Sequence, residues 1–177
     1  FDSFDHWLNI SEPRNKELWH EYNAGKINKL QLNKIRYNYP LEVVGCPDNE
    51  LGARFGTEAL SRIPHKNMLL PGALELLDYL APKYNMFILS NGFMELQSQK
   101  MATTGLTKYF KRVILSEEIG VNKPDTRLFE YALRVSGAHK CEALMIGDAF
   151  DSDILGAANV GIDQMFLNRR GEKNLPF

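Results

Sequence analysis

From Phe1 to about Lys66 apolar residues recur at three- and four-residue spacings, with Leu18, Trp19 and Tyr22 followed by Leu32, Ile35 and Tyr39. That periodicity predicts helices burying one face each. No segment here alternates with the two-residue period of a strand. Ser11 is placed to cap a helix with Pro13 in its first turn, and Gly25 and Asn28 separate it from a second helix over about 29–37. A further helix follows Pro47-Asp48 through Leu51, Phe55, Ala59 and Ile63. The expectation is an all-helical unit, residues 1–68, of about four short helices, with a linker from Ile63 to Leu70.

At Pro71-Gly72 the texture changes. An amphipathic helix (Ala73, Leu74, Leu77, Leu80) leads through Pro82 into the apolar run Met86-Phe87-Ile88-Leu89. Further short apolar runs follow at 113–115, 143–146 and 164–167, separated by predicted helices near 94–104, 126–136 and 153–159. Strands alternating with helices predict an α/β unit over 69–177: a parallel, Rossmann-like, three-layer sheet whose crossovers cover both faces.

Composition narrows the function classes. The 177 residues carry a net charge of −1 with interspersed signs, which excludes a basic stripe for polymeric nucleic acid. No apolar run reaches the roughly 20 residues of a membrane span. Two cysteines, Cys46 and Cys141, fit reduced thiols in a cytoplasmic protein better than a disulfide framework. The four histidines lack metal-ligand spacing, which argues against zinc.

Ligands of open α/β sheets collect beyond the carboxyl ends of the strands, so the residues after each apolar run carry the candidate chemistry. After Leu89 comes Ser90-Asn91-Gly92, a hydroxyl, an amide and a glycine able to approach a phosphate, or an ordinary turn. After the second run comes Lys123-Pro124-Asp125, where the proline and a helix-capping aspartate hold the lysine in a fixed place, although such a lysine is commonly a surface residue. After Ile146 comes Gly147-Asp148, with Asp151 and Asp153 close behind. These are hard oxygen donors suited to Mg²⁺, or caps for the following helix.

Taken together in this order, the three segments resemble motifs II, III and IV of the haloacid dehalogenase superfamily: Ile88-Leu89-Ser90-Asn91-Gly92, the lysine of Gly120-Val121-Asn122-Lys123-Pro124-Asp125, and Gly-Asp-x-x-x-x-Asp at Gly147, Asp148 and Asp153. The helical unit falls where members with a helical cap insert it. The segments Glu17–Tyr22, Tyr39-Pro40-Leu41 and Leu89–Phe93 are most similar to the YjjG-type pyrimidine 5′-nucleotidases. The resemblance implies a Mg²⁺-dependent phosphoric monoester hydrolase working through an aspartyl-phosphate, with small phosphorylated substrates such as nucleoside 5′-monophosphates. It implies that Ser90, with the backbone around Asn91 and Gly92, binds the phosphoryl group, that Lys123 bridges nucleophile and phosphate, and that Asp148 holds Mg²⁺ with Asp153 supporting that shell.

The family's first motif, an apolar strand ending in Asp-x-Asp, is absent before the helical unit; Asp2 and Asp5 have the wrong spacing. In the family that strand is central, between those ending at Ser90 and Asp148. The chain opens on Phe1 and stops soon after an apparent strand, so the expectation is a fragment of a longer enzyme, inactive as it stands. Two alternatives stay open: a metal-independent 2-haloacid dehalogenase, against which the pair Asp148 and Asp153 argues, and a non-catalytic binding module. A dinucleotide-binding protein is set aside because no Gly-x-Gly-x-x-Gly follows a strand. Trp19, Tyr22 and Arg36 are candidates for substrate contact, though their spacing suits a helix packing on its neighbours better.

Overall fold

The computed structural model describes residues 1–66, 68–169 and 171. It divides into two compact units, one of Phe1–Met86 with Gly92–Lys111, the other of Phe87–Asn91 with the chain from Arg112 onward.

Three helices begin the first unit: α1 (Phe4–Asn23), α2 (Lys29–Val43) and α3 (Asn49–Arg62). Helix α1 starts well before the predicted cap. Ser3, not Ser11, caps it, accepting from the His6 amide, and Asp5 complements the dipole in the first turn. Ser11 instead donates its hydroxyl to the Trp7 carbonyl at 2.7 Å, and Pro13 lies inside the helix. A serine two residues before a proline has the local look of a helix start, but the stacking of Phe4 on Trp7 and the edge-on contact of Trp7 with Phe55 favour continuous helix. Asn28 caps α2 in a reciprocal capping box with Gln31, and α2 runs through Pro40 to Val43 rather than ending near Tyr37. Asp48 caps α3 by accepting from the Leu51 amide. The four short helices expected are thus three longer ones followed by a single 3₁₀ turn at Ile63–His65.

Leu18, Tyr22, Leu32 and Phe93 form the buried core of this unit, with Trp19, Ile27, Ile35 and Leu96 packed around it. Trp19 stacks on Phe93 with ring centroids 5.7 Å apart, and Tyr22 meets both rings edge-on. Arg36 lies over the rings of Trp19 and Tyr37. Trp19 and Tyr22 therefore pack against their neighbours, as their spacing suggests. Helices α4 (Ala73–Leu80) and α5 (Met94–Thr103) complete the unit, and the Tyr109 hydroxyl donates to Asp78 of α4 at 2.6 Å.

The strands are β1 (Met86–Ser90), β2 (Phe110–Leu115), β3 (Leu144–Gly147) and β4 (Asp163–Phe166), alternating with α5, α6 (Thr126–Ser136) and α7 (Leu155–Val160). All four predicted runs are strands within three residues. The expected single sheet is two pairs: β1 with β2, and β3 parallel to β4 with Leu144 opposite Asp163. No pairing joins β1 to β3. Side chains on the second pair stay open, with Leu144, Ile146 and Met165 about half exposed. The core of the α/β unit is Phe129, Ala157 and Ile162, flanked by Leu89, Leu133 and Met145. The chain is a mixed α/β protein with parallel strands. No helix among the described residues is long and apolar enough to cross a membrane.

Candidate functional site

Lys123 is the centre of the arrangement. It is only 7 % exposed, an unusual depth for an ammonium group, which needs charged or hydrogen-bonding neighbours to offset the loss of water. Its Nζ donates to Asp153 Oδ1 at 2.6 Å and to the Leu89 carbonyl, one residue before the end of β1, at 2.8 Å. Those bonds use two of its three N–H groups, and the third has no hydrogen-bond partner among the described residues.

Asp153 is equally deep, 5 % exposed. It sits in a wide π-type turn, Phe150–Ile154, that leads from β3 into α7. Its second carboxylate oxygen accepts from the Ala149 amide at 3.2 Å. Gly147 makes this possible: a Cβ built there would lie 2.3–2.6 Å from atoms of the Asp153 side chain, closer than any real contact. Gly156, one turn further, is pressed against the Phe129 ring and the Pro124 Cα, so the helix that follows Asp153 approaches the Lys123-Pro124 segment without a side chain between them. The Lys123–Pro124 peptide bond is cis, and Asp125 caps α6 by accepting from the Arg127 amide.

Asn91 is 8 % exposed and bonded twice to the main chain of Lys123: its Oδ1 accepts from the Lys123 amide at 2.8 Å and its Nδ2 donates to the Lys123 carbonyl at 3.0 Å. Ser90, half-buried, ends β1, and Gly92 follows half-buried. Asp148 lies at the end of β3 with its side chain 57 % exposed and faces the Arg169 guanidinium at 3.6 Å.

Of the residues singled out in the sequence, Asn91 and Asp153 are thus each bonded to Lys123. Ser90 is adjacent to them along the chain, and Asp148 is a solvent-facing carboxylate near the same turn. The partners that sequence reading missed are the Leu89 carbonyl, the Ala149 amide and the Arg169 side chain. The first two are backbone groups with no residue-type signal. Arg169, in contrast, stands in an Arg-Arg pair just beyond the last strand.

Supporting the turn after β2, Glu118 accepts from the Leu115 amide at 2.8 Å, from the Tyr131 hydroxyl at 2.9 Å and from Arg112. Burial pushes its carboxyl up, but these donors together outweigh burial and hold it below the usual carboxylate range.

A divalent cation needs hard oxygens with room for water and substrate oxygens. Asp148 meets that requirement by type and exposure, while both oxygens of Asp153 are already engaged, which suits a supporting place behind the first carboxylate. Among the described residues no group of three or more His, Cys, Asp or Glu is gathered that could hold a metal. A Mg²⁺ held by one carboxylate and completed by water and phosphate fits this donor set.

The chain is similar to known proteins in sequence and in fold. The haloacid dehalogenase-like hydrolase family matches residues 8–161. The chain is 37 % identical over 155 residues to the pyrimidine 5′-nucleotidase YjjG of Escherichia coli (strain K12), covering 87 % of this chain and 67 % of that protein. It is 32 % identical over 158 residues to the pyrimidine 5′-nucleotidase PynA of Streptococcus pneumoniae, covering 88 % and 66 %. The chain thus spans about two thirds of the length of these relatives. In fold it superposes on YfnB of Bacillus subtilis, solved bound to magnesium, with a TM-score of 0.88, 24 % identity and coverage of 96 % of this chain and 75 % of that one. By sequence, the chain belongs to the haloacid dehalogenase-like hydrolases.

Proposed function

We propose that the protein carrying this chain is a Mg²⁺-dependent phosphoric monoester hydrolase acting on small phosphorylated metabolites, with nucleoside 5′-monophosphates as the leading class. The observation that carries the reading is the buried Lys123 ammonium, fixed by Leu89 and Asp153 with one N–H left over. A fixed cation with a spare donor is what a transferring phosphoryl group requires, since phosphoryl transfer depends mainly on positioning and charge compensation. The similarity to two pyrimidine 5′-nucleotidases supports the substrate class.

In this reading Ser90 donates its hydroxyl to a phosphoryl oxygen, and the backbone at Asn91 and Gly92 lies along the same group. Lys123 offsets its charge and approaches the attacking carboxylate. Asp148 holds Mg²⁺, and Asp153 keeps Lys123 in place behind it. Bound Mg²⁺ supplies further charge compensation at the phosphoryl oxygens. The attacking aspartate forms a bond to phosphorus as the P–O ester bond breaks and the leaving oxygen takes a proton from the second aspartate of that motif; water, giving a proton back to it, then displaces the first aspartate and releases phosphate. No Asp-x-Asp following an apolar strand is found in these residues, and the reading places it on a strand between β1 and β3. The division into two unjoined strand pairs and the half-exposed Leu144 and Ile146 support that place. The architecture proposed is a three-layer α/β core, residues 69–177, with residues 1–68 as a helical cap.

The test is phosphate release by the protein expressed from its gene, from nucleoside monophosphates, sugar phosphates and phosphoserine, with Mg²⁺ and with chelator. Mg²⁺-dependent release, lost in Asp148→Asn with folding retained, is expected. Chloride release from a 2-chloro acid without Mg²⁺ would establish a dehalogenase instead. Phosphate-dependent stabilisation without turnover on any substrate would establish a binding module.

A further inference from the structure

We infer that Asn91 is a positioning residue, whose side chain acts on phosphate only through Lys123 by fixing the distance between the Lys123 ammonium and the Ser90 hydroxyl. The inference rests on the phosphatase reading for its consequence, though not for its geometry.

Lys123 is bonded to both neighbours of Ser90. Its ammonium returns to the Leu89 carbonyl at 2.8 Å, while its own amide and carbonyl are held by the Asn91 side chain at 2.8 and 3.0 Å. Ser90 is therefore bracketed, with three hydrogen bonds tying the residues before and after it to one lysine 30 or more positions away. A carboxamide is suited to this task because it places one acceptor and one donor side by side, matching the N–H and C=O of a single residue. Aspartate offers only acceptors when ionised, and leucine, of nearly the same shape, offers neither.

Both the amide group and Lys123 are more than nine-tenths buried, so water cannot readily substitute for the lost bonds. These two bonds use one N–H and one oxygen lone pair of the carboxamide and fix its plane against the Lys123 main chain.

The experiment is a double-mutant cycle in the protein expressed from its gene, reading orthophosphate binding by calorimetry with Mg²⁺ present. Asn91→Leu and Lys123→Ala are each expected to weaken binding by about tenfold or more, as displacement of a charged contact by an ångström does. The double variant is expected to be no weaker than Lys123→Ala, since a residue acting through Lys123 has nothing left to position. Additive losses would show that Asn91 touches phosphate itself and would overturn the inference, as would unchanged binding in Asn91→Leu.

A second readout needs no ligand: reductive methylation of Lys123, followed by mass spectrometry, is expected to accelerate in Asn91→Leu with circular dichroism unchanged. If the unmutated protein binds no orthophosphate, the phosphatase reading fails, and the methylation rate alone decides the clamp. An unchanged rate overturns it. Should Asn91→Leu fail to fold, Asn91→Asp, which keeps the acceptor for the Lys123 amide, takes its place with the same expected directions and smaller changes.

Discussion

The helical unit closes around Leu18, Tyr22, Leu32 and Phe93, whereas the α/β unit buries Lys123, Asp153 and Asn91 to a comparable depth in addition to its apolar core of Phe129, Ala157 and Ile162. Both interiors exclude water, but by different physics. Apolar burial is non-directional and scales with area, so many side chains of the right volume satisfy it. A buried ion pair is directional: each charge is tolerable only while its partner stays within hydrogen-bonding reach. The first interior can change in detail and remain a core. The second holds only as a set.

The largest expected effect follows from breaking that set. Lys123→Met keeps most of the side-chain volume but leaves Asp153 without its cation, and unfolding in urea is expected to show a loss of about 3–5 kcal/mol. Replacing both partners, Lys123→Met with Asp153→Leu, is expected to recover most of the loss, and a double variant as unstable as the single one would refute the contrast.

In the helical unit Leu18→Ala opens a cavity in a fully buried site and is expected to cost about 3 kcal/mol. Leu18→Met, which conserves volume, should cost under about 1.5 kcal/mol by the same measurement. Gly147→Ala forces a methyl group into the space of the Asp153 carboxylate and is expected to cost about 1–3 kcal/mol, with a Tm below that of the unmutated protein.

Glu118 gives a smaller, pH-dependent effect of about 1 kcal/mol. Because its folded carboxyl titrates below the ordinary range, its contribution is present above the unfolded pKa and is lost as pH falls through the folded value. Glu118→Gln should flatten the acid limb of a stability profile while leaving the alkaline limb alone. At the bottom of the scale, the exposed pair Lys29–Glu95 is expected to contribute no more than about 0.5 kcal/mol, and Lys29→Met should barely move the urea midpoint.

The same contrast explains what could be read in advance. The strands and the helices of the α/β unit were legible because local chemistry marks their ends: Asp125 caps α6, and Gly137, in a left-handed conformation, stops it. In the helical unit the local signals were outvoted. Ser11 and Pro13 look like a helix start, yet contacts made far along the chain, such as Trp7 on Phe55, favour one long helix. The division into two strand pairs was likewise not visible in the apolar runs, which specify strands but not their partners.

In the candidate site, residue types at the strand ends, read together with the family resemblance, made Ser90, Lys123, Asp148 and Asp153 candidates. Residue type does not say which of them bond. Lys123 meets Asp153 across 30 positions and Asn91 across 32, and an asparagine before a glycine reads equally well as a turn residue or a ligand. Only the folded chain distinguishes a carboxamide aimed at a lysine's backbone from one aimed at a substrate.

Trp19 stacked on Phe93, with Trp7 against Phe55, has an optical consequence. These are the two tryptophans of the sequence, and both lie in the helical unit. Light absorbed at the red edge of the indole band therefore reports on one half of the molecule alone. Emission would follow that unit, whereas far-ultraviolet dichroism sums the helices of both, and whether the two curves coincide along a single denaturation would reveal if the halves melt as one.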